Sequence, residues 1–430
     1  MKQKELENMD NIELEKPKEV PSILSKRKLL PGDRVLWVIV AMFFAISVVA
    51  VYTASSQMGF REGTIDRELQ RHLISIGLSV AILFSCYIMG ANLFRRFTKL
   101  AYIVSWIMTF IAYFTGDGRN NAERWLDIGF FSLQPSELLK IGTIMFLAAQ
   151  LSARHHRISK VHLLPTTFDV RKWKTPQELD IIMNDIVPIV LPIALSCAVI
   201  LPAHTSSAIH IFFVSMVLLF IAGIRFKEIM KLLAVAAVVG MMWLAVAGRI
   251  GTVIKRVATW AGIELVSEDG KKEEGSKDTY YSQMAIQNGG VFGVGAGRSM
   301  MRLKLTHPES DYLFAAIVEE FGLLLSFVII LLYLWLFFRS LRIFEQCEWL
   351  YAGLLAVGLA LLVTSQGFLH VSVCLGIIPE TGQNLPFITR GRTGMFCASI
   401  AVGIILSISR QVEQGTLLPP SQRNNMSKHI

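Results

Sequence analysis

Charged side chains stand inside or beside apolar runs at two places, and these residues are the first candidates for chemistry. In the segment 117–140, Glu137 and Lys140 lie three residues apart where an apolar run begins. A lysine there is costly unless it is paired or lines a wet cavity. In the second segment, Asp311 stands where a loop meets an apolar run, and Glu319 lies about two helical turns further along. A carboxylate can act as a general base, and a lysine can steady an anionic leaving group.

Each candidate also has a purely structural explanation. The two residues of the first segment could form only a local ion pair, and Asp311 could be only a helix cap favoured by the helix dipole. The spacing of four predicts that Asp311, Ala315 and Glu319 share a helix face. An acid inside a membrane span, as Glu319 would be, is harder to explain structurally. Ser136 is the predicted N-cap of the first helix, with Pro135 just outside it.

Long apolar runs must position these residues. The chain has 430 residues, of which 53% are hydrophobic and 17% are charged, and its mean hydropathy is +0.49. Since about 20 apolar residues cross the hydrocarbon core as a helix, we predict an all-α polytopic membrane protein with about ten transmembrane helices. The predicted spans are 35–55, 72–90, 99–115, 137–153, 185–202, 205–223, 228–247, 312–338, 349–371 and 393–409.

The basic residues set the orientation. Segments on the side of the N-terminus hold far more Lys and Arg than the short loops opposite, which places both termini in the cytoplasm. The net charge of +9 is therefore mainly a topology signal, and its spread over many loops argues against a nucleic-acid partner. We predict a disordered N-terminal tail at 1–34, a membrane domain at 35–410 with a large extracytoplasmic loop at 248–310 between spans 7 and 8, and a cytoplasmic C-terminal tail at 411–430.

The long loop carries two further features. Apolar residues of 250–257 form one stripe, which predicts a short amphipathic helix on the membrane surface, either a simple anchor or a holder of lipid phosphates. The glycine-rich segment Gly289–Gly297 would let a backbone approach a ligand or another chain closely. The five cysteines lie in or beside apolar runs, and we interpret them as small hydrophobic residues rather than disulfides or metal ligands.

Five motifs in order indicate a family. They are Asn121-Ala122-Glu123-Arg124-Trp125-Leu126; Gln134-Pro135-Ser136-Glu137 with Lys140; Ala285-Ile286 with Gly289-Gly290-x-x-Gly293; Ser310-Asp311-Tyr312-Leu313-Phe314-Ala315 with Glu319-Glu320-x-Gly322; and Gly376-x-x-Pro379-x-Thr381-Gly382-x-x-Leu385-Pro386. With these motifs the chain resembles the SEDS (shape, elongation, division and sporulation) family, the FtsW and RodA proteins, from about Val35 to Arg410. The long polar N-terminal tail, the His-Pro-x-Ser-Asp form of the acidic motif and the Ile-Leu-Ser-Ile-Ser-Arg ending make it more FtsW-like than RodA-like.

The resemblance implies a peptidoglycan glycosyltransferase. Such an enzyme polymerises lipid II, a disaccharide-pentapeptide on undecaprenyl pyrophosphate, into glycan strands at the periplasmic face of the bacterial inner membrane. An FtsW-like protein would act at the division septum, with a class B penicillin-binding protein and other divisome proteins as partners and with membrane lipid around it. The resemblance implies no definite cofactor. A divalent metal, Mg²⁺ or Mn²⁺, could assist the reaction, but the sequence shows no set of ligands for it.

The resemblance also assigns roles to residues. Asp311 would be the general base that takes the proton from the acceptor's 4-hydroxyl, Lys140 would lie near Asp311, and Glu319 would close the polar cluster from below. The expected substrate-binding residues are Arg124, Trp125, Glu137, Arg249, Arg256, Gln283, Glu320 and Thr381.

Two other functions stay open at this point. The chain could be a flippase or transporter of the lipid-linked precursor, or a non-catalytic scaffold that activates a class B penicillin-binding protein. No inverted repeat is visible, and the candidate groups gather on one side of the membrane, which argues against transport. The chain departs from the family pattern at His204, His370, Ser372 and Arg392, which puts the shape of the expected cavity in doubt.

Overall fold

Helices form at every predicted apolar run, and most are longer than the run. The computed structural model describes residues 30–62, 65–115, 126–128, 131–165, 175–248, 250–261, 263, 265–266, 272–273, 277–305, 308, 310–389 and 392–417. The helices are α1 (Arg34–Glu62), α2 (Ile65–Ile88), α3 (Ala91–Thr115), α4 (Pro135–Ala153), α5 (Pro176–Ile181), α6 (Val187–Ile200), α7 (Thr205–Ile221), α8 (Phe226–Val246), α9 (Ile250–Trp260), α10 (Lys277–Gly289), α11 (Leu313–Gln346), α12 (Leu350–Cys374) and α13 (Arg392–Glu413).

Short elements connect these helices. A π-helical turn at Ile182–Ile186 joins α5 to α6, and 3₁₀ turns lie at His155–Lys160 and Met301–Leu303. Two small antiparallel pairs complete the list of elements: β1 (Leu126–Ile128) with β2 (Phe131–Leu133), in the register Leu126 to Leu133, and β3 (Leu265–Val266) with β4 (Lys272–Glu273). The predicted amphipathic helix of the long loop is confirmed as α9.

The fold is that of an all-α polytopic membrane protein. Among the described residues, eight helical units are long and apolar enough to cross a membrane. Helix α7 has 17 residues and is a shorter apolar helix, and α4, which carries the paired charges, is not among the eight. The count of ten spans therefore stays a prediction, although a helix stands at each of the ten positions.

The helices divide into an interior group and a rim. Helices α12 and α13 have 78% and 83% of their apolar windows buried, whereas α8 has 17%. Helix α12 packs against α4, α7, α11 and α13, so it is the axis of the bundle. A Cβ on Gly358 of α12 would lie 2.8 Å from Ile144 of α4, so the missing side chain permits this close helix packing.

The two ends of the membrane domain are joined to each other. The Gly32 N–H donates to the Glu413 carboxylate, and the Asp33 N–H donates to Ser409 Oγ at 2.9 Å. Asp33 Oδ2 also accepts a hydrogen bond from Arg339 Nε at 2.7 Å. Gly32 and Asp33, which the predicted tail includes, therefore belong to the packed unit that starts at Gly32, and the tail itself stays a prediction. Helix α13 likewise runs past the predicted boundary at 411; residues 1–29 and 418–430 lie outside the described part of the chain.

A glycine-rich segment lies backbone against backbone on α11. Gly322 has φ +77° and ψ −178°, so it interrupts the helix and leaves neighbouring backbone groups without helical partners. The segment supplies those partners: the Val294 N–H donates to the Glu319 carbonyl at 2.9 Å, and the Leu323 N–H donates to the Gly290 carbonyl at 3.0 Å. Broken helices are tolerated at membrane depth only where protein or water satisfies the backbone. The close approach predicted from the glycines is thus to the chain's own helix.

No larger residue fits at this contact. A Cβ on Gly293 would lie 2.3 Å from the Glu320 carbonyl oxygen, and one on Gly322 would lie 2.2 Å from the Val291 carbonyl oxygen. Backbone atoms cannot swing away as a flexible side chain can. The positive φ of Gly322 adds a second penalty for any side chain.

Gly322→Ala should destabilise the protein by about 3 kcal/mol or more, because it combines a strained φ with a backbone clash. The measurement is the thermal unfolding midpoint of the detergent-purified protein. Gly240→Ala in α8 is the matched control, since a Cβ there meets no atom within 4 Å. Equal midpoints for the two variants would contradict the proposed contact.

Candidate functional site

Helix α4 begins at the proline. Gln134 is the N-cap and makes no side-chain capping bond, and Pro135 occupies the first helical turn. Proline suits that place because its φ is already helical and its missing N–H would have no partner there. The prediction of Ser136 as N-cap is wrong: Ser136 lies inside the helix, and its buried Oγ has no hydrogen-bond partner.

The lysine of α4 is completely buried and paired. Lys140 is 0% exposed, and its Nζ lies 2.8 Å from Glu137 Oε1. It also donates to Gln366 Oε1 of α12 at 3.3 Å, and the Gln366 side-chain amide donates to the Asn384 carbonyl. The pair therefore joins α4 to α12 and to the loop that follows α12.

The contacts of Lys140 lie within α4 and with α12, and its predicted nearness to Asp311 stays a prediction. Among the described residues, Lys140 contacts Glu137 and Gln366. Helix α12 packs against both α4 and α11. The structural alternative, a local ion pair, matches the observed geometry.

Asp311 lies in the turn that leads into α11. The helix begins at Leu313 with Tyr312 as N-cap, so Asp311 is outside it, and the prediction that Asp311, Ala315 and Glu319 share a helix face is wrong. Asp311 is half-buried, and Cys374 at the end of α12 lies beside it, with Sγ 3.9 Å from the Asp311 carbonyl oxygen. This turn is therefore placed where α11 and α12 meet.

A histidine from the neighbouring helix caps α11. Tyr312 makes no side-chain capping bond, but the Phe314 N–H donates to His370 Nε2 at 3.4 Å. His370 Nδ1 lies 2.8 Å from the Gln383 carbonyl oxygen, which can only accept, so Nδ1 carries the proton and Nε2 is the acceptor. His370, one of the departures from the family pattern, thus supplies the cap that the sequence of α11 lacks.

A second departure caps another helix. His204 is the N-cap of α7, and its Nδ1 accepts a hydrogen bond from the Ser207 N–H at 3.1 Å. The Gln383 side-chain amide donates to Ser207 Oγ at 2.8 Å, so the two histidines are linked through Gln383 and Ser207. Both histidines are therefore accommodated as acceptors at helix N-termini.

The two glutamates of α11 bind the residues 299–302, which follow the glycine-rich segment. Glu319 accepts from Ser299 Oγ and from the backbone N–H groups of Met300 and Met301, at 3.3 and 3.4 Å. Glu320 lies 3.6 Å from Arg302 in an ion pair buried on both sides. These partners of both carboxylates lie in the segment 299–302, and the predicted roles of the two glutamates at the site stay predictions. Both carboxylates stabilise the segment packed on α11.

A cavity of about 740 Å³ opens between α7, α9, α11, α12 and the loop after α12. Its walls are mostly apolar, with side chains such as Ile209, Phe213, Leu334, Phe337, Leu361 and Phe368. Two buried polar atoms in its lining residues have no hydrogen-bond partner in the structure: His210 Nδ1 and Thr381 Oγ1. A long apolar ligand with a few polar groups fits this composition.

The polar end of the cavity is formed by the loop 378–381 and by α9. Arg256, Glu380 and Thr381 all line it, and Arg256 donates to the Glu380 carbonyl at 3.3 Å. The Tyr312 hydroxyl donates to Glu380 Oε1 at 2.5 Å, which ties the Asp311 turn to the cavity rim. Of the predicted site residues, Arg256 and Thr381 line the cavity, and the turn that carries Asp311 is connected to its rim through the Tyr312–Glu380 hydrogen bond.

Other predicted residues lie elsewhere. Glu137 is committed to Lys140, and Gln283 is exposed on α10, where its amide donates to the Leu375 carbonyl at 3.4 Å. Arg124, Trp125 and Arg249 lie outside the described residues. Sequence reasoning missed Glu380 and His210 as residues of the cavity. For Glu380 a signal existed, since a charged residue in an outer loop rich in Gly and Pro is a candidate for function.

The fold and this site define a multi-pass membrane protein with a largely apolar cavity, whose rim is connected to an acidic turn by one hydrogen bond. A family model covering FtsW, RodA and SpoVE, described as cell cycle proteins, matches residues 33–414, and the chain belongs to this family. The resemblance found in the sequence motifs is thereby confirmed for the family, while the preference for FtsW over RodA stays a prediction.

Curated relatives match along almost their whole length. Stage V sporulation protein E of Bacillus subtilis is 27% identical over 402 residues, which cover 90% of this chain and 99% of the relative. A probable peptidoglycan glycosyltransferase FtsW of Coxiella burnetii is 25% identical over 406 residues, with 91% and 100% coverage.

Solved structures share the fold. A chain of a peptidoglycan synthase complex matches with a TM-score of 0.67 at 19% identity, covering 89% of this chain and 98% of that one. The rod shape determining protein RodA of Thermus thermophilus matches with a TM-score of 0.57 at 20% identity, covering 89% and 98%.

Lys140→Met should cost about 3–5 kcal/mol of stability, because it leaves the buried Glu137 carboxylate without its cation. The double variant Lys140→Met/Glu137→Gln should recover much of that loss, and thermal unfolding in detergent measures both. Lys160→Met, at an exposed lysine, is the control. If the double variant unfolds at a lower temperature than Lys140→Met, the ion pair is not the main role of Lys140.

Proposed function

We propose that the chain is a peptidoglycan glycosyltransferase that polymerises lipid II into glycan strands, with Asp311 as the general base. Family membership and the names of the relatives support the activity. The single observation that carries the site is the hydrogen bond from Tyr312 to Glu380, which joins the Asp311 turn to the rim of the 740 Å³ cavity.

The cavity suits a polyprenyl-linked substrate. Its apolar wall would hold the first isoprene units of the lipid, while its polar end would hold the diphosphate and the sugar. Arg256 is the described cation at that end, and a guanidinium binds phosphate oxygens through two parallel hydrogen bonds. His210 and Thr381 would offer the polar atoms that have no partner within the protein.

The proposed step transfers one glycan. The 4-hydroxyl oxygen of the acceptor attacks the anomeric carbon of the growing strand, and the bond from that carbon to the phosphate oxygen breaks. Undecaprenyl pyrophosphate leaves with the bonding electron pair, and the hydroxyl proton passes to the Asp311 carboxylate. A general base typically contributes about 10²–10⁴-fold to such a rate.

The other predicted catalytic residues receive different roles in this proposal. Lys140 and Glu137 would hold α4 against α12 through the contact with Gln366. Glu319 would hold the residues after the glycine-rich segment on α11. They act on the reaction by supporting the elements that form the cavity. None of the three is proposed to touch the substrate.

A divalent metal has no site made of protein alone in the described part of the chain. There, no group of three or more His, Cys, Asp and Glu side chains is arranged to hold an ion. The residues therefore do not fit a resident metal, and no step is derived through one. We propose only that Mg²⁺ or Mn²⁺ could arrive with the diphosphate of the substrate, which adding EDTA to the polymerisation assay tests.

We further propose the setting in which the enzyme works. The chain is a multi-pass membrane protein, and it would lie in the bacterial inner membrane at the division septum. The Asp311 turn would face the periplasm. A class B penicillin-binding protein that crosslinks the strands would be its partner, together with other divisome proteins. The similarity to a chain of a peptidoglycan synthase complex supports the partner.

Asp311→Asn should lower strand formation from purified lipid II by about 10²–10⁴-fold, because the amide cannot take the proton. The purified protein is incubated with fluorescent lipid II, with and without the penicillin-binding partner, and the glycan ladders are measured on a gel. Asp278→Asn, in the first turn of α10, is a control at a different acid.

Each result has a defined meaning. A glycan ladder from the wild-type protein alone shows that it is an active enzyme. A ladder seen only with the partner shows an enzyme that needs activation. Full activity of Asp311→Asn overturns the assignment of the base. Transfer of lipid II across a vesicle membrane without any ladder would make the chain a transporter, and the absence of both would leave the scaffold role.

A further inference from the structure

The tyrosine that begins α11 makes a charge-assisted hydrogen bond. Tyr312 is 1% exposed, and its hydroxyl donates to Glu380 Oε1 at 2.5 Å. Hydrogen bonds from a hydroxyl to a carboxylate are short and about twice as strong as neutral ones. The sequence places these two residues 68 positions apart, so the bond joins two segments that have no local connection.

Glu380 is held from a second direction. Its backbone carbonyl accepts from Arg256 of α9 at 3.3 Å. The indole N–H of Trp260, on the same helix, donates to the Gly376 carbonyl at 2.8 Å. Helix α9 therefore binds the loop after α12 at two points. The loop after α12 is thus fixed between α9 on one side and the start of α11 on the other.

We propose that Glu380 is a positioning residue, which acts through Tyr312 to fix the turn that carries Asp311. This proposal rests on the glycosyltransferase function and goes beyond it by adding the Tyr312–Glu380 pair to the machinery. Tyr312 is the residue directly after Asp311, and its backbone (φ −127°, ψ 23°) sets the direction in which the turn leaves the helix. Anchoring the hydroxyl at the cavity rim fixes that backbone.

The consequence is a link between the cavity and the base. Glu380 lines the cavity with its neighbours Ile378, Pro379 and Thr381, so a ligand that shifts this loop also shifts the anchor of Tyr312. A displacement of about 1 Å at a reacting group can cost about 10²-fold in rate. The pair should therefore affect the chemical step more than the binding of lipid II.

The test uses three variants of the full-length protein: Tyr312→Phe, Glu380→Gln and the double variant. Each single substitution should lower kcat for lipid II polymerisation by about 10-fold while KM changes by less than about twofold. Since the two residues act through one bond, the double variant should be no slower than the slower single variant. Tyr280→Phe and Glu345→Gln, at exposed residues on α10 and α11, are matched controls expected to keep the wild-type kcat.

The outcomes separate the proposal from the function on which it rests. A wild-type ladder with unchanged kcat in either single variant overturns the positioning role, and so do losses that multiply in the double variant. A change confined to KM also overturns it, because Glu380 would then bind substrate. No ladder from the wild type, even with the penicillin-binding partner present, would refute the glycosyltransferase function itself and the positioning role with it. Thermal unfolding midpoints of the wild type, the two single variants and the double variant would still decide whether the Tyr312–Glu380 bond exists. If the bond is absent, the shifts in midpoint of the two single variants should add up in the double variant.

Discussion

The backbone contact between the glycine-rich segment and the break in α11 is the constraint on which the surroundings of the Asp311 turn depend. A helix interrupted at Gly322 leaves peptide groups that lipid cannot satisfy, and the segment around Gly290 and Gly293 satisfies them. Because the hydrogen-bond partners are backbone atoms, the segment and α11 must approach closely, and only glycines leave the space for that approach. Glu319 and Glu320 then fasten the segment further along, at 299–302.

This contact determines where the acidic turn can lie. The first part of α11, from Leu313 to Phe321, is held between the glycine-rich segment on one face and α12 on another. His370 of α12 caps its first turn, and Glu380 holds Tyr312 from the cavity rim. Asp311 is thus placed by neighbours on both sides rather than by a regular helix of its own. The site is built on interior elements, while α8 and the other rim helices face outward.

Much of the fold could be predicted from the sequence because membrane helices are specified by local composition. A helix stands at every predicted apolar run, α9 was visible as one apolar stripe, and Asp311 was placed correctly at a junction of loop and helix. The partners of the charged residues could not be predicted, because they depend on which helices are neighbours. Lys140 reaches Glu137 and Gln366 because α12 stands beside α4, and nothing local in the sequence indicates that arrangement. The partners of Glu319 were missed for the same reason, since its acceptor atoms are used by residues 18 to 20 positions earlier.

The union of the two ends of the membrane domain has a consequence for how the protein is made. Gly32 and Asp33, among the first residues of the domain to leave the ribosome, bond to Glu413 and Ser409 on α13, which is made several hundred residues later. Until α13 enters the membrane, the start of α1 lacks these partners, and α12 lacks one of the helices that bury it. The bundle is therefore complete only after translation of the domain ends. A ribosome that stops before residue 392 releases a set of helices without α13, so the surface of α12 that α13 buries stays uncovered.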